Sequence, residues 1–319
     1  MKFNNIAKSV IAASALTVAS FGANATVISS AILDVTGFGL AINGATSNTP
    51  PVSTWTLKND ATFNGVTENQ TNVSSLLEVV PGDPTQGKYG DPALVCAGTS
   101  GCPIGENTYT QNLLNLGDNL DFSSADSYVF TNPAVSGTDA STRADTSIHS
   151  VANGTLQTAG SEIQNSINTT INFSIDGAVG STIDLFYSYT AQLVTEISND
   201  WLNPTHQTQA DADYGLSFTL TRDDMNLGQD FGGIGLTNFG NLATFGASGS
   251  SNATNEAGTR QSFGDQKVVS LTNLTSGDYK LVINHRTSAS SRHVPEPTSI
   301  AILGLGLLGL VGAARRRKS

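Results

Sequence analysis

From Ile183 to Leu193 an apolar side chain falls on every second residue: Ile183, Leu185, Tyr187, Tyr189, Ala191 and Leu193. The intervening residues Asp184, Ser188, Thr190 and Gln192 are polar, and only Phe186 breaks the rule. A helix would scatter this set around its axis, whereas a strand places all six on one face. The segment can therefore bury itself only as one face of a sheet. Shorter runs repeat the pattern at Ile171, Phe173 and Ile175, at Ala212, Tyr214, Leu216, Phe218 and Leu220, and at Tyr279, Leu281 and Ile283. Turn residues separate them: Asp176-Gly177 and Gly180 before the longest run, and Thr275-Ser276-Gly277-Asp278 before the last. Residues 27–35 supply a first strand, and no comparably long amphipathic helix pattern lies between Thr26 and His293.

These runs predict an all-β body, an antiparallel meander folded into a β-sandwich, jelly-roll-like or Ig-like, with long polar loops. Residues 81–150 and 222–266 are rich in Gly, Asn, Asp, Ser and Thr with little periodicity, and read as excursions or a binding rim. Weak strand signals lie at 113–120 and 128–130. No internal repeat is visible, which argues against solenoids and propellers.

The two ends follow different rules. Lys2 and Lys8 precede a mostly apolar, small-residue stretch from Ser9 to Gly22, then Ala23-Asn24-Ala25, an A-x-A cleavage site. This is the layout of a secretory signal peptide, with the mature chain expected to begin at Thr26 and the secretion translocon as first partner. At the other end, Val294-Pro295-Glu296-Pro297 leads into Thr298 to Ala314, in which every residue from Ile300 on is Ile, Leu, Val, Ala or Gly. As a helix those residues reach about 25 Å, close to the roughly 30 Å of a bilayer core. Arg315, Arg316, Arg317 and Lys318 follow, can snorkel to headgroups, and by the positive-inside rule stay cytoplasmic. The body is then expected outside the cytoplasm. Gly304-Leu305-Gly306-Leu307-Leu308-Gly309 has dinucleotide-binding spacing, but no strand precedes it and no acidic residue follows.

The tail resembles the PEP-CTERM sorting domain of exopolysaccharide-producing Gram-negative bacteria, in three parts and in order: the VPEP signature at 294–297, the apolar segment at 298–314 and the basic end at 315–318. The resemblance implies recognition by an exosortase, a membrane-embedded Cys-dependent enzyme. It also implies an inner-membrane intermediate held by the C-terminal helix, cleavage near the PEP motif, and a final place at the cell surface or outside the cell. It extends over about 26 residues and transfers location and processing, not activity. The chain thus divides into a signal peptide (1–25), an exported body (26–293) and a sorting signal (294–319).

The body has its own chemistry. With Lys2, Lys8, Glu296 and the four C-terminal bases set aside, it holds 9 Lys and Arg against 25 Asp and Glu, a net charge near −16. That surface argues against nucleic acid and anionic lipid as partners. Cys96 and Cys102, the only cysteines, are expected to form a disulfide in an oxidising compartment. His149, His206, His285 and His293 lie singly, without H-E-x-x-H spacing, and no G-x-S-x-G elbow occurs. No catalytic residue and no cofactor is expected. Asp211-Ala212-Asp213 resembles the start of a Ca2+ loop but misses the register, with Gly215 at position 5 and Arg222 at position 12; a polar strand face is the other reading. Trp201, in a polar stretch between two strands, is a candidate sugar contact, with Phe186 behind it; a ring capping the core is the other reading.

Two functions fit these residues. One is a non-enzymatic surface or matrix protein, sorted by exosortase and associated with extracellular polysaccharide and biofilm. The other is a carbohydrate-binding or carbohydrate-active sandwich bearing the same tail.

Overall fold

A computed structural model describes residues 26–46, 53–75, 88–99, 101–109, 120–132, 137–149, 157–175, 181–198, 207–222, 241–254 and 256–294. Fourteen strands run through them: β1 (Thr26–Ile42), β2 (Ala45–Thr46), β3 (Ser53–Phe63), β4 (Val66–Ser75), β5 (Lys88–Gly90), β6 (Val95–Gly98), β7 (Phe122–Asn132), β8 (Gly137–His149), β9 (Gln157–Ile175), β10 (Ser181–Ile197), β11 (Gln207–Arg222), β12 (Asn241–Thr254), β13 (Arg260–Leu274) and β14 (Gly277–Val294). They form two antiparallel sheets. The first has the order β13-β10-β1-β8-β7-β5, with β2 beside β1 and β6 beside β7; the second is β12-β11-β14-β9-β3-β4. Among the described residues the protein is an all-β sandwich, as the alternation requires.

Two tight hairpins follow directly from the sequence. Asn43-Gly44 joins β1 to β2 and Asn64-Gly65 joins β3 to β4, and all four residues have positive φ. A two-residue loop of that kind matches the twist of the strands it connects, and Asn-Gly tolerates it best.

The alternating runs occupy interior strands. β10 lies between β1 and β13, β11 between β12 and β14, and β14 between β11 and β9. They are not the consecutive meander the sequence suggests. β9 belongs to the second sheet, β10 to the first and β11 to the second, so the chain changes layer at each connection and β14 inserts between β9 and β11. The pattern fixes which face is buried but not which strand lies alongside, and both topologies satisfy it.

Two stretches read as irregular are strands. Residues 241–254, within the supposed loop 222–266, and residues 260–274, which begin inside it, form β12 and β13, one outer edge of each sheet. β13 exposes one face and only half-buries the other, where Phe263, Val269 and Leu271 pack on the core but Asp265 and Lys267 interrupt the apolar period. Residues 122–132 and 137–149 form β7 and β8 inside the first sheet. From Ser141 to His149 every residue of β8 is buried, yet most are Ser, Thr, Asp, Arg or His, so hydrophobicity does not reveal the strand. The weak signal at 113–119 lies outside the described residues.

The interlayer core is unequal along its length. One part is large and aromatic: Tyr187 and Phe218 have ring centroids 4.6 Å apart, Phe38 stacks on Phe218 at 5.7 Å, and Trp55, Leu33, Leu185 and Leu281 fill the space around them. In the other cluster eight of thirteen residues are alanine, so the layers come close enough for small hydroxyls to meet across them. Thr146 Oγ1 and Ser291 Oγ are 2.7 Å apart, Thr195 Oγ1 and Ser251 Oγ 3.0 Å apart, and Ser29 Oγ donates to the Asp211 carbonyl.

Candidate functional site

The first sheet carries a covered polar patch on its outer face. Ala125 and Ala144 point into the core, so their strand neighbours Asp126 and Arg143, partners in the β7–β8 register, point outward. Neither reaches solvent. Residues 91–109 wrap the β7 edge and fold back over this face, where Ile104 packs with Phe122, Ile28 and Leu120.

The covering segment is tied down chemically. The Cys96–Cys102 disulfide forms as expected, with Cα atoms 5.5 Å apart. Asn59 Nδ2 donates to the carbonyl oxygens of Pro92 and Ala93, each at 3.2 Å. Arg143 Nη1 donates to the Thr108 carbonyl at 2.6 Å, while its Nε donates to buried Asp145. Ser30 Oγ also donates to Asp145, at 2.5 Å. Burial pushes the Asp145 carboxyl upward against the opposing pull of Arg143.

Three carboxylates meet under this cover. Asp91 stands just after β5, Glu106 follows the disulfide and Asp126 forms the floor, with a candidate ligand oxygen from each lying within 4.8 Å of the others. The loop engages one oxygen of each. Asn107 N–H donates to Asp126 Oδ2 at 2.7 Å, Asn107 Nδ2 to Asp91 Oδ2 at 2.9 Å, and Leu94 N–H to Glu106 Oε1 at 3.1 Å. Asp91 Oδ1 and Asp126 Oδ1 are buried without a hydrogen-bond partner. Burial, then the neighbouring charges of Glu106 and Asp91, pushes the Asp126 carboxyl up to about 6. Burial and the charges of Asp126 and Asp91 push the Tyr109 phenol far upward. The residues are separated by 15 and 20 positions, and no spacing rule links them in sequence.

The structure separates the other sequence candidates. Asp211 and Asp213 alternate with buried Ala210, Ala212 and Tyr214 on β11 and face outward. Asp213 Oδ1 accepts from Arg286 at 2.8 Å and Asp211 Oδ2 from Gln209 at 2.8 Å, side-chain partners appropriate to a polar strand face. Phe186 is half-buried, its ring lying over Gly39 on the neighbouring strand. His149, His285 and His293 are buried in different places: His149 Nδ1 is 3.3 Å from Thr26 Oγ1, His293 Nδ1 is 3.1 Å from Thr208 Oγ1, and His285 contacts Leu33. Trp201, His206, Ala23 and Ala25 lie outside the described residues, as do Pro295, Glu296, Pro297 and Arg315, Arg316, Arg317 and Lys318. Among the described residues no helix is long and apolar enough to cross a membrane.

Val294 is where body and tail meet. It is the last residue of β14, pairs with Gln207 on β11, and is the first residue of the VPEP signature. β14 is flanked on both sides, and Val294 is followed in the sequence by a proline, which has no N–H to donate to a neighbouring strand. The sorting signal thus follows an interior strand with no intervening linker in the sequence.

Residues 293–318 match the family model of the PEP-CTERM protein-sorting motif. No curated protein matches the chain, and no solved structure matches it. The matched segment indicates exosortase-dependent sorting of an exported protein, with membrane-associated processing. The chain therefore carries a PEP-CTERM protein-sorting motif at its C-terminal end.

Proposed function

We propose that the chain is a non-enzymatic surface or extracellular-matrix protein, processed by exosortase and associated with exopolysaccharide in a biofilm. The observation that carries this reading is the position of the motif, immediately after the body's interior strand β14. Cleavage near Pro295-Glu296-Pro297 would separate the apolar tail from the body beyond the last residue of β14. A strongly acidic body rich in Ser, Thr and Asn is suited to a hydrated polysaccharide matrix, where uncharged polar side chains exchange hydrogen bonds with sugar hydroxyls.

Intact-mass measurement of the exported protein tests the processing. The expected species begins at Thr26 and lacks the apolar tail, whereas replacing Pro295-Glu296-Pro297 with three alanines should hold the chain in the inner membrane. Unchanged processing of that variant would overturn exosortase handling. Sugar-array binding of the exported protein, beside Trp201→Ala, separates matrix association from a dedicated lectin. Binding that disappears with Trp201 would favour the carbohydrate-binding alternative.

A further inference from the structure

We propose that Asp91, Glu106 and Asp126 form a binding site for a hard divalent cation, and that Ca2+ is the ion it takes. The donors are all carboxylate oxygens, the ligand class of Ca2+ and Mg2+ and a poor one for thiophilic metals. A Ca2+ ion sits roughly 2.3–2.6 Å from its oxygens, so its ligands span a shell about 5 Å across. Three oxygens within 4.8 Å of one another fit that shell.

The orphaned oxygens provide an independent observation. Asp126 is 1% exposed and Asp91 half-buried, and Oδ1 of each is a buried atom without a hydrogen-bond partner. A buried carboxylate oxygen without a partner carries a substantial desolvation cost, and a cation would remove it. The loop's own hydrogen bonds engage Oδ2 of each aspartate and leave Oδ1 of both without a donor. Arg143, directly across from Asp126, does not neutralise it: its Nε and Nη1 engage Asp145 and the Thr108 carbonyl.

The construction around the carboxylates suits a binding site. Asp91 and Glu106 lie on the two arms of an excursion closed between them by Cys96–Cys102, and Asp126 lies on a sheet strand beneath. A rigid floor and a cross-linked cover fix the three groups despite their mutual repulsion. Outside the cytoplasm Ca2+ is plentiful, and sites of millimolar to submillimolar affinity are useful there.

The test uses the full chain, purified in detergent and stripped with a chelator, then titrated with CaCl2 by calorimetry and by thermal melting. The wild type should bind roughly one ion at this site, and saturating Ca2+ should raise its melting temperature by roughly 5 °C. Asp126→Asn keeps the side-chain shape, and Glu106→Gln alters an exposed position while keeping an oxygen that can accept from Leu94 N–H. Each should weaken Ca2+ binding at least tenfold and erase the melting shift. Asp211→Asn/Asp213→Asn, in the other acidic pair, should respond as the wild type does. The proposal is overturned by a wild type indifferent to Ca2+, by Glu106→Gln binding normally, or by a response lost only in the β11 variant. Mg2+ binding as tightly as Ca2+ would overturn the choice of ion.

Discussion

His285 Nε2 donates a hydrogen bond to the Leu33 carbonyl oxygen at 3.2 Å, joining an interior strand of one sheet to an interior strand of the other. The acceptor is a carbonyl, so the ring carries a proton on Nε2. The side chain is 1% exposed, and burial lowers its pKa from the usual 6.5 to about 3, although the Leu33 carbonyl favours the protonated form.

That contact makes stability depend on pH in a known direction. Between about 6.5 and about 3 the unfolded histidine holds a proton that the folded one refuses. The unfolded state binds more protons there, so stability falls as pH falls through this window. Urea unfolding of the wild type and of His285→Gln, which keeps a donor but cannot titrate, isolates the effect. The wild type should lose on the order of 2–3 kcal/mol relative to the variant between about pH 7 and about pH 4.5. Parallel pH profiles for the two proteins would show that His285 is not responsible.

Trp55 and Gly90 make a second, steric prediction. The Trp55 ring lies where a Cβ on Gly90 would stand, and Leu57 Cδ1 would be 2.9 Å away. Both side chains are fully buried, so neither can swing aside as an exposed chain would. Gly90→Ala should destabilise the fold by roughly 1–3 kcal/mol through overpacking. In a double-mutant cycle Trp55→Phe should relieve much of that loss. Additive losses in the cycle would place the clash elsewhere.

Legibility from sequence followed the amount of apolar burial on one face. β10, β11 and β14 each set an alternating face against the aromatic core, and their residues display it directly. β8 is buried from Ala140 to His149, but hydroxyls, Arg143 and Asp145 fill most of those positions, so the composition of a loop conceals an interior strand. β12 and β13 are edges with little to bury. The sorting motif is contiguous, and a contiguous signal can be read without a fold. The carboxylate cluster is the reverse: Asp91, Glu106 and Asp126 meet only because residues 91–109 fold back over β7.

The unequal core predicts opposite responses to opposite substitutions. Phe218 is fully buried between Phe38 and Tyr187, and Phe218→Ala should cost about 3–5 kcal/mol by leaving a cavity. In the alanine-rich part the layers meet largely through alanines and small hydroxyl side chains, and Ala289→Leu should cost at least about 1–3 kcal/mol by forcing them apart. Thermal melts of the two variants check both. A tolerated leucine at 289 would mean that the layers can separate there without loss.

The disulfide separates local from global stability. Only five residues lie between Cys96 and Cys102, and closing so short a loop restricts the unfolded chain by about 2 kcal/mol in the chain-entropy account. The bridge joins Cys96, on β6 beside β7, to Cys102 in the segment that covers the outer face, and does not link the two sheets. Cys96→Ser/Cys102→Ser should therefore leave β10, β11 and β14 folded while loosening the cover above Asp126. Hydrogen exchange resolves the two effects, because amides open in local units as well as globally. Faster exchange is expected at Leu94, Thr99 and Asn107, whose N–H groups donate to Glu106, Asp121 and Asp126, with protection unchanged at Leu216 and Ile283. If the interior strands exchanged faster as well, the bridge would be a global fastener and the excursion part of the cooperative core.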